Sequence, residues 1–268
     1  MAPQTKKQKE VNVICIKWGT RYPAVYANRL YNMIKRNTSF NIKFHCFTDN
    51  TTDLDKNIII HPLPTMNMDM KDCKYAYRKE AGLCDDNLGG LKGQRVFYFD
   101  LDTIILGNLD ELFAYPQDNK FYIQKDWAHS DGSVGQASLY SWVIGTLGYV
   151  KSNFEAKPQE IIKKYFTASQ EYLSDMIIQK SGKLNFWPQT WVASFRFHCM
   201  PVGILRPFIA PTIPNWDGLK MITFHGIPNM QEAIIGQWGE KTDAKYPKGW
   251  KKIYKSVRPT LWVKYFWW

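Results

Sequence analysis

The stretch VNVICIKWGTRYPAVYANRLYNMIKRNTSFNIKFHCFTDN, residues 11–50, changes its hydrophobic period twice. VNVICIKWG alternates and is rich in β-branched residues, so it reads as a buried strand ending at Trp18-Gly19. In YPAVYANRLYNMIKRN, Pro23 suits a first helical turn. Val25, Leu30, Met33 and Ile34 then recur at helical spacing, with basic residues near the end. NIKFHCFTDN alternates again as a second strand that breaks at Thr48-Asp49-Asn50, and NIIIHPLP is a third short strand that prolines terminate. Strand, helix and strand at this spacing predict an α/β domain with a mostly parallel sheet, because parallel neighbours need a crossover of about a dozen residues. Ligands of such sheets sit at the carboxyl ends of the strands. Trp18-Gly19 and Thr48-Asp49 are therefore candidates for one pocket.

Further along, RVFYFDLD (95–102) is apolar on both faces up to Asp100, as a central strand should be. Asp100 and Asp102 would point to opposite faces if the strand continued, so both can serve one ligand only where the chain turns. In the bland reading one Asp caps the next segment and the other meets a lysine. Charge at the mouth of a buried strand is costly without a compensating cation or ligand, which favours a functional reading. Two functional readings compete. The carboxylates hold a divalent cation that bridges the diphosphate of a nucleotide sugar. Alternatively, DLDTI resembles the first motif of haloacid dehalogenase-like phosphatases, with Asp100 as nucleophile. That motif normally follows a first strand, whereas several strands precede it here.

After residue 113, KFYIQKDW (120–127) reads as a strand, HSDGSVGQAS (129–138) as a mobile loop, and SWVIGTLGYV as apolar and glycine-broken. A helix is expected over 158–180, interrupted near Ser169, and KMITFHGIP (220–228) as a strand ending at His225-Gly226. With 268 residues, 45% hydrophobic and 15% aromatic, one main domain is expected. No apolar run approaches the roughly 20 residues that cross a bilayer. The start MAPQTKKQKE also lacks a signal-type segment, so a soluble, cytoplasmic protein is expected, peripheral at a membrane if its tail is an anchor. The five cysteines (Cys15, Cys46, Cys73, Cys84, Cys199) are odd in number and never in a C-x-x-C pair, which suits reduced thiols rather than zinc ligands. Net charge is +11, of which residues 241–268 carry +7 and residues 1–10 carry +2. Only +2 remains in between, which gives no support to a nucleic-acid groove across the middle.

FYFDLDTIILGNLDELF (97–113) resembles the DxD segment of GT-A glycosyltransferases. VICIKWGTRYPAVYANRLYNMIKRN resembles the opening strand and helix of glycosyltransferases related to family 8 and of similar bacterial and viral enzymes. FHCFTDN is similar to that group's second strand, and FHGIPN to its late His-Gly segment; together the likeness touches most of residues 11–235. The resemblance implies a GT-A fold over residues 1–240, a Rossmann-like, mostly parallel central sheet flanked by helices, followed by a basic aromatic tail, 241–268. It implies transfer of a hexose from a UDP-sugar, UDP-glucose-like, to a hydroxyl acceptor that is a carbohydrate, lipid-linked or a protein.

Residue by residue, the resemblance puts Asp100 against ribose and metal, Asp102 on the metal, and His225 as third protein ligand. Two carboxylates with an imidazole suit Mn²⁺ or Mg²⁺. Lys17, Trp18, Gly19 and Tyr22 fall where the family's first loop wraps the nucleobase; Tyr22 either stacks on uracil or packs at a helix start. Thr48 and Asp49 end the neighbouring strand, and Leu101 and Gly226 complete the donor-binding set. Arg78 and Lys79 match a basic position that reaches the donor, the alternative being a surface pair with Glu80. Asp126-Trp127 and Ser174-Asp175 correspond to segments that meet the transferred sugar and acceptor. Either Asp126 or Asp175 would be a general base or would orient the donor. Met176, Tyr140-Ser141-Trp142 and Ile227 depart from the family pattern.

The tail, YPKGWKKIYKSVRPTLWVKYFWW (246–268), interleaves lysines with aromatics. It suits a peripheral membrane contact, stacking on single-stranded nucleic acid, or packing on the catalytic domain. A non-catalytic adaptor acting through this tail is the remaining alternative to an enzyme.

Overall fold

β1 (Glu10–Lys17) is buried from Val11 onward, and its side chains alternate between two cores, as a period of two requires. Val11, Val13 and Cys15 join one hydrophobic cluster, while Ile14 and Ile16 join the other. β1 is therefore a central strand with helices on both faces. The computed structural model describes residues 9–69, 77–239 and 249–268. Cys73 and the first part of the tail lie outside the described residues.

α1 (Ala24–Arg36) starts after Pro23 and ends in Lys35 and Arg36, whose charge favours the carboxyl end of a helix. Its buried Tyr26, Leu30, Met33 and Ile34 pack into the Val13 cluster. β2 (Asn41–Thr48) pairs in parallel with β1, and β3 (Ile59–His61) pairs in parallel with β2. The short α2 (Tyr77–Glu80) precedes β4 (Arg95–Phe99), which is parallel to β1 on its other side. Each expected element of residues 11–61 is thus found, and the sheet starts parallel.

After β4 the plan changes. β5 (Thr103–Ile105) leaves for a second sheet and α3 (Asp110–Ala114) follows it. β6 (Tyr122–Lys125) and β7 (Gly135–Val143) are antiparallel to each other, and β7 is antiparallel to β4. β7 corrects the expectation of a loop over 135–138, while 129–134 form turns and bends with no strand. It begins at Gly135 and is buried almost to its end. Its glycine reads as a loop signal but serves close packing, since a Cβ there would lie 2.6 Å from Ile123 Cδ1. Its serines and glutamine, which also read as loop, are buried polar positions.

α4 (Gly148–Ala156), α5 (Pro158–Tyr165) and α6 (Ser169–Ser181) follow. The helix expected over 158–180 breaks at Phe166, whose φ is 50°. β8 (Asn185–Phe186) lies parallel to β6, so the described main sheet has the order β3-β2-β1-β4-β7-β6-β8. β9 (Val192–Ser194) and β10 (Met221–Thr223) form the second sheet with β5, in the order β5-β10-β9. β10 is shorter than expected and places His225 in the turn beyond it, before Gly226 at φ 93°. α7 (Met230–Ile235) carries a reciprocal cap between Asn229 and Glu232.

α8 (Lys251–Tyr254) and α9 (Trp262–Phe266) belong to the tail. Val257, Val263 and Trp267 are buried in the same cluster as α1. Trp267 meets Tyr26 edge-on at 5.1 Å, and the Arg29 guanidinium lies 4.1 Å from an indole ring centre of Trp267. Arg36 donates to the carbonyls of Phe266 and Trp268. The end of the tail is thus built into the domain. No helix of the described residues is long and apolar enough to cross a membrane.

Candidate active site

β4 ends at Phe99 and β5 begins at Thr103 in the other sheet. The chain changes sheets over three residues, so Asp100 and Asp102 both line one cavity although strand alternation alone would part them. The Asp100 amide donates to the Ser138 carbonyl (2.9 Å), and the Asp102 carbonyl accepts from the Phe224 amide (2.8 Å). That second bond sets His225 beside the turn. The cavity, about 480 Å³, lies at the carboxyl ends of β1 and β4 and has a size usual for small-ligand sites.

Lys17, Trp18, Tyr22, Lys79, Leu101, His225 and Gly226, all named from the sequence, line it with the two aspartates. Gly19, Thr48, Asp49 and Arg78 do not. Asp49 instead accepts from the Gly19 amide (3.1 and 3.3 Å), tying the first loop down with the glycine at φ 62°. Thr48 Oγ1 donates to the Asn50 carbonyl (3.0 Å), which also faces Lys17 Nζ at 3.5 Å. These residues brace the loop. Arg21 is a lining cation that sequence reading missed, and its adjacency to Tyr22 in the first loop was the available signal.

Asp102 is buried. Its Oδ2 accepts from the Tyr22 hydroxyl (2.8 Å), while its Oδ1 is buried with no partner. Burial, then the charge of Asp100, pushes the Asp102 carboxyl up to about 7. Asp100 accepts from the Tyr98 hydroxyl (2.5 Å) and from Lys79 Nζ (3.1 Å). Lys79 also pairs with Glu80 Oε1 (3.1 Å) and donates to the Ala137 carbonyl (3.2 Å). Burial alone would lower the Lys79 ammonium, but the carboxylates of Asp100 and Glu80 outweigh it and hold the lysine above its ordinary value. Two carboxylates thus pair with one enclosed cation, and Asp102 Oδ1 and Glu80 Oε2 are both left unpartnered.

His225 Nε2 lies 2.6 Å from Ser194 Oγ, and the ring stacks on Trp127 at 5.7 Å. Burial, then the charge of Arg196, lowers its pKa, so the imidazole is neutral, the form that binds metals. Among the described residues no three His, Cys, Asp or Glu are gathered closely enough to hold an ion. Asp100, Asp102 and His225 meet around the cavity without being assembled in advance. An orphaned carboxylate oxygen, a second carboxylate and a neutral imidazole nevertheless fit Mn²⁺ or Mg²⁺ in donor chemistry.

A second cavity, about 370 Å³, lies on the other side of Trp127 and includes Asp126, His198, Gln189 and Trp216. Asp126 Oδ1 accepts from the Ala128 and His129 amides (2.8 and 3.2 Å) and faces His129 Nδ1 at 2.9 Å, which raises the histidine. Its Oδ2 accepts from Gln170 Nε2 at 3.3 Å. Both of its oxygens are thus engaged within the chain. Asp175 lines neither this cavity nor the one at Asp100 and Asp102. It accepts from the Tyr165 hydroxyl (2.6 Å) on α5, because the phase of α6 turns Gln170 and Ser174 toward β7 and carries Asp175 away. Gln170 is the residue of that helix that bonds Asp126, although it too lines neither cavity, and nothing in its sequence context marked it.

No family model matches the chain, and no curated protein matches it in sequence. Solved structures do resemble it. One is the bifunctional glycosyltransferase WbbM in its apo structure, with TM-score 0.52, 14% identity, and 83% of this chain covering 47% of that one. Another is the galactosyltransferase LgtC in complex with donor and acceptor sugar analogues, with TM-score 0.53, 11% identity, and 82% of this chain covering 89% of that one. The chain spans about half the length of WbbM. At these identities the likeness is one of fold: the chain has the GT-A fold of glycosyltransferases, with a mostly parallel central sheet flanked by helices.

Proposed function

We propose that the chain is a metal-dependent glycosyltransferase that moves a hexose from a UDP-sugar, UDP-glucose-like, to a hydroxyl acceptor. The observation that carries this reading is the buried, partnerless Asp102 Oδ1 beside Asp100 in a cavity that His225 also lines. A buried charge left open in this way calls for a cation. Asp100, Asp102 and His225 would hold Mn²⁺ or Mg²⁺, which supplies neutralisation of the diphosphate as it leaves.

The remaining roles follow from placement. Lys17 and Arg21 bring positive charge to the donor cavity. Tyr22 orients Asp102 through its hydroxyl, and Trp18 offers an aromatic face to the base. Lys79 holds Asp100 in place. Trp127 stands between the two cavities, so the acceptor approaches from the side where Asp126 orients the loop. Thermal melting with UDP, with and without Mn²⁺, tests the proposal. The expected result is a rise that needs both and is lost in Asp102→Ala; no rise in the wild-type chain would overturn it. A screen of UDP- and GDP-sugars for Mn²⁺-dependent donor hydrolysis then identifies the sugar.

A further inference from the structure

The aromatics at the end of the tail account for only part of the exposed apolar surface: Tyr265 (75%) and Trp268 (59%) face solvent. Trp267 is buried, and Trp262 Nε1 donates to the Pro211 carbonyl (3.0 Å). A denser exposed group lies in residues 202–209, where Val202 (68%), Ile204 (72%) and Phe208 (75%) face solvent. Trp250 (72%) and Ile253 (50%), at and within α8, extend the patch. The two segments are fastened together. The Arg206 guanidinium donates to the carbonyls of Pro201 (3.2 Å) and Tyr254 (2.5 Å), and Arg258 reaches the Pro207 carbonyl (3.4 Å). Gly203 packs so closely that a Cβ would lie 3.3 Å from that of Tyr254. This is a braced surface that presents large apolar side chains to water, and such patches mark docking sites.

Its charge names the partner. Residues 196–209 and 249–268 contain no Asp or Glu, while Lys251, Arg258 and Lys264 are exposed. We propose that this face docks on an anionic lipid bilayer. Ile204, Phe208 and Trp250 enter the boundary between headgroups and acyl chains, and the lysines and arginine meet lipid phosphates. A second copy of the chain fits less well, because a two-fold contact would bring two basic rims together. The same stretch of chain runs back to the active site: Ser194 bonds His225, and the exposed Phe197 ring stacks on His225 at 5.7 Å. Docking therefore brings the cavities toward the membrane. With the transferase reading above, on which this step alone rests, the acceptor is a lipid-linked hydroxyl compound.

Vesicle flotation tests the surface without donor or metal, so its failure is separate from failure of the transferase reading. The full chain is mixed with vesicles of phosphatidylcholine, alone or with about 30% phosphatidylglycerol, at about 0.15 M salt. The expected result is binding to the anionic vesicles only. The Ile204→Ser, Phe208→Ser double variant, with unchanged melting because both residues are exposed, binds at least about tenfold more weakly. Wild-type chain that floats with neither vesicle, or a double variant that binds like wild type, overturns the proposal. A dimer in sedimentation that the double variant dissolves, without vesicle binding, assigns the face to a second copy and overturns it too.

Discussion

Two buried polar clusters sit in the same parallel sheet, and they are finished differently. Across β1 to β3, His45 Nδ1 lies 2.9 Å from His61 Nε2, His45 Nε2 lies 3.3 Å from Asn12 Oδ1, and Asn12 Nδ2 donates to Gln94 Oε1 at 2.9 Å. Burial and the neighbouring imidazole push His45 down to about 4, so His45 is neutral and each named member of this network has a partner. At the carboxyl ends of β1 and β4, Lys79 meets Asp100 and Glu80, yet Asp102 Oδ1 and Glu80 Oε2 are buried and open. A polar network that serves only packing closes on itself, since each open group costs free energy. In the proposed reading the second cluster stays open for the donor and its metal.

The sharpest way to break this contrast is Lys79→Met. It leaves Asp100 and Glu80 enclosed without their cation, and the expected loss is about 3–5 kcal/mol in urea unfolding. A loss below about 1 kcal/mol would mean that the pair is effectively solvated. A smaller effect of opposite sign comes from Asp102→Asn. Removing a carboxyl that burial makes costly to ionise raises the stability of the ligand-free chain by about 1 kcal/mol, while the melting shift with UDP and Mn²⁺ disappears. A less stable ligand-free variant would show that the carboxylate is already compensated.

The smallest effect lies in the closed cluster and is read against pH. The unfolded chain protonates His45 near its ordinary 6.5, and the folded chain only near 4. The unfolded state therefore binds the extra proton first, and stability is lost as pH falls from about 6.5 to 4. His45→Gln should flatten the melting temperature over that window and leave it unchanged above pH 7. An equal slope in variant and wild type would move the acid sensitivity elsewhere.

Legibility in the sequence divides along similar lines. β1, α1 and β2 were readable to within about two residues, because alternation and helical period are local properties of the chain. The Asp100–Asp102 turn was readable as a requirement, since two carboxylates one residue apart can share a ligand only off a strand. β7 was hidden, because a strand buried beside a polar site carries Gly135, Gln136, Ser138 and Ser141, which look like loop residues. Asp175 was named for the site, yet helix phase turns it to Tyr165, while Gln170 of the same helix bonds Asp126.

Order along the chain and local period were thus enough for the α/β plan, for the strand ends as candidates and for the acidic turn. Strand order, and nothing local, joins Lys17, Lys79, Asp102 and His225 around one cavity, because pairing across more than a hundred residues of sequence is decided by which faces bury together. The same holds for the tail. Its composition allowed a membrane anchor, nucleic-acid stacking or a packed terminus, and only packing showed that Trp267 closes the core while Trp250, Tyr265 and Trp268, with Val202, Ile204 and Phe208, remain in water.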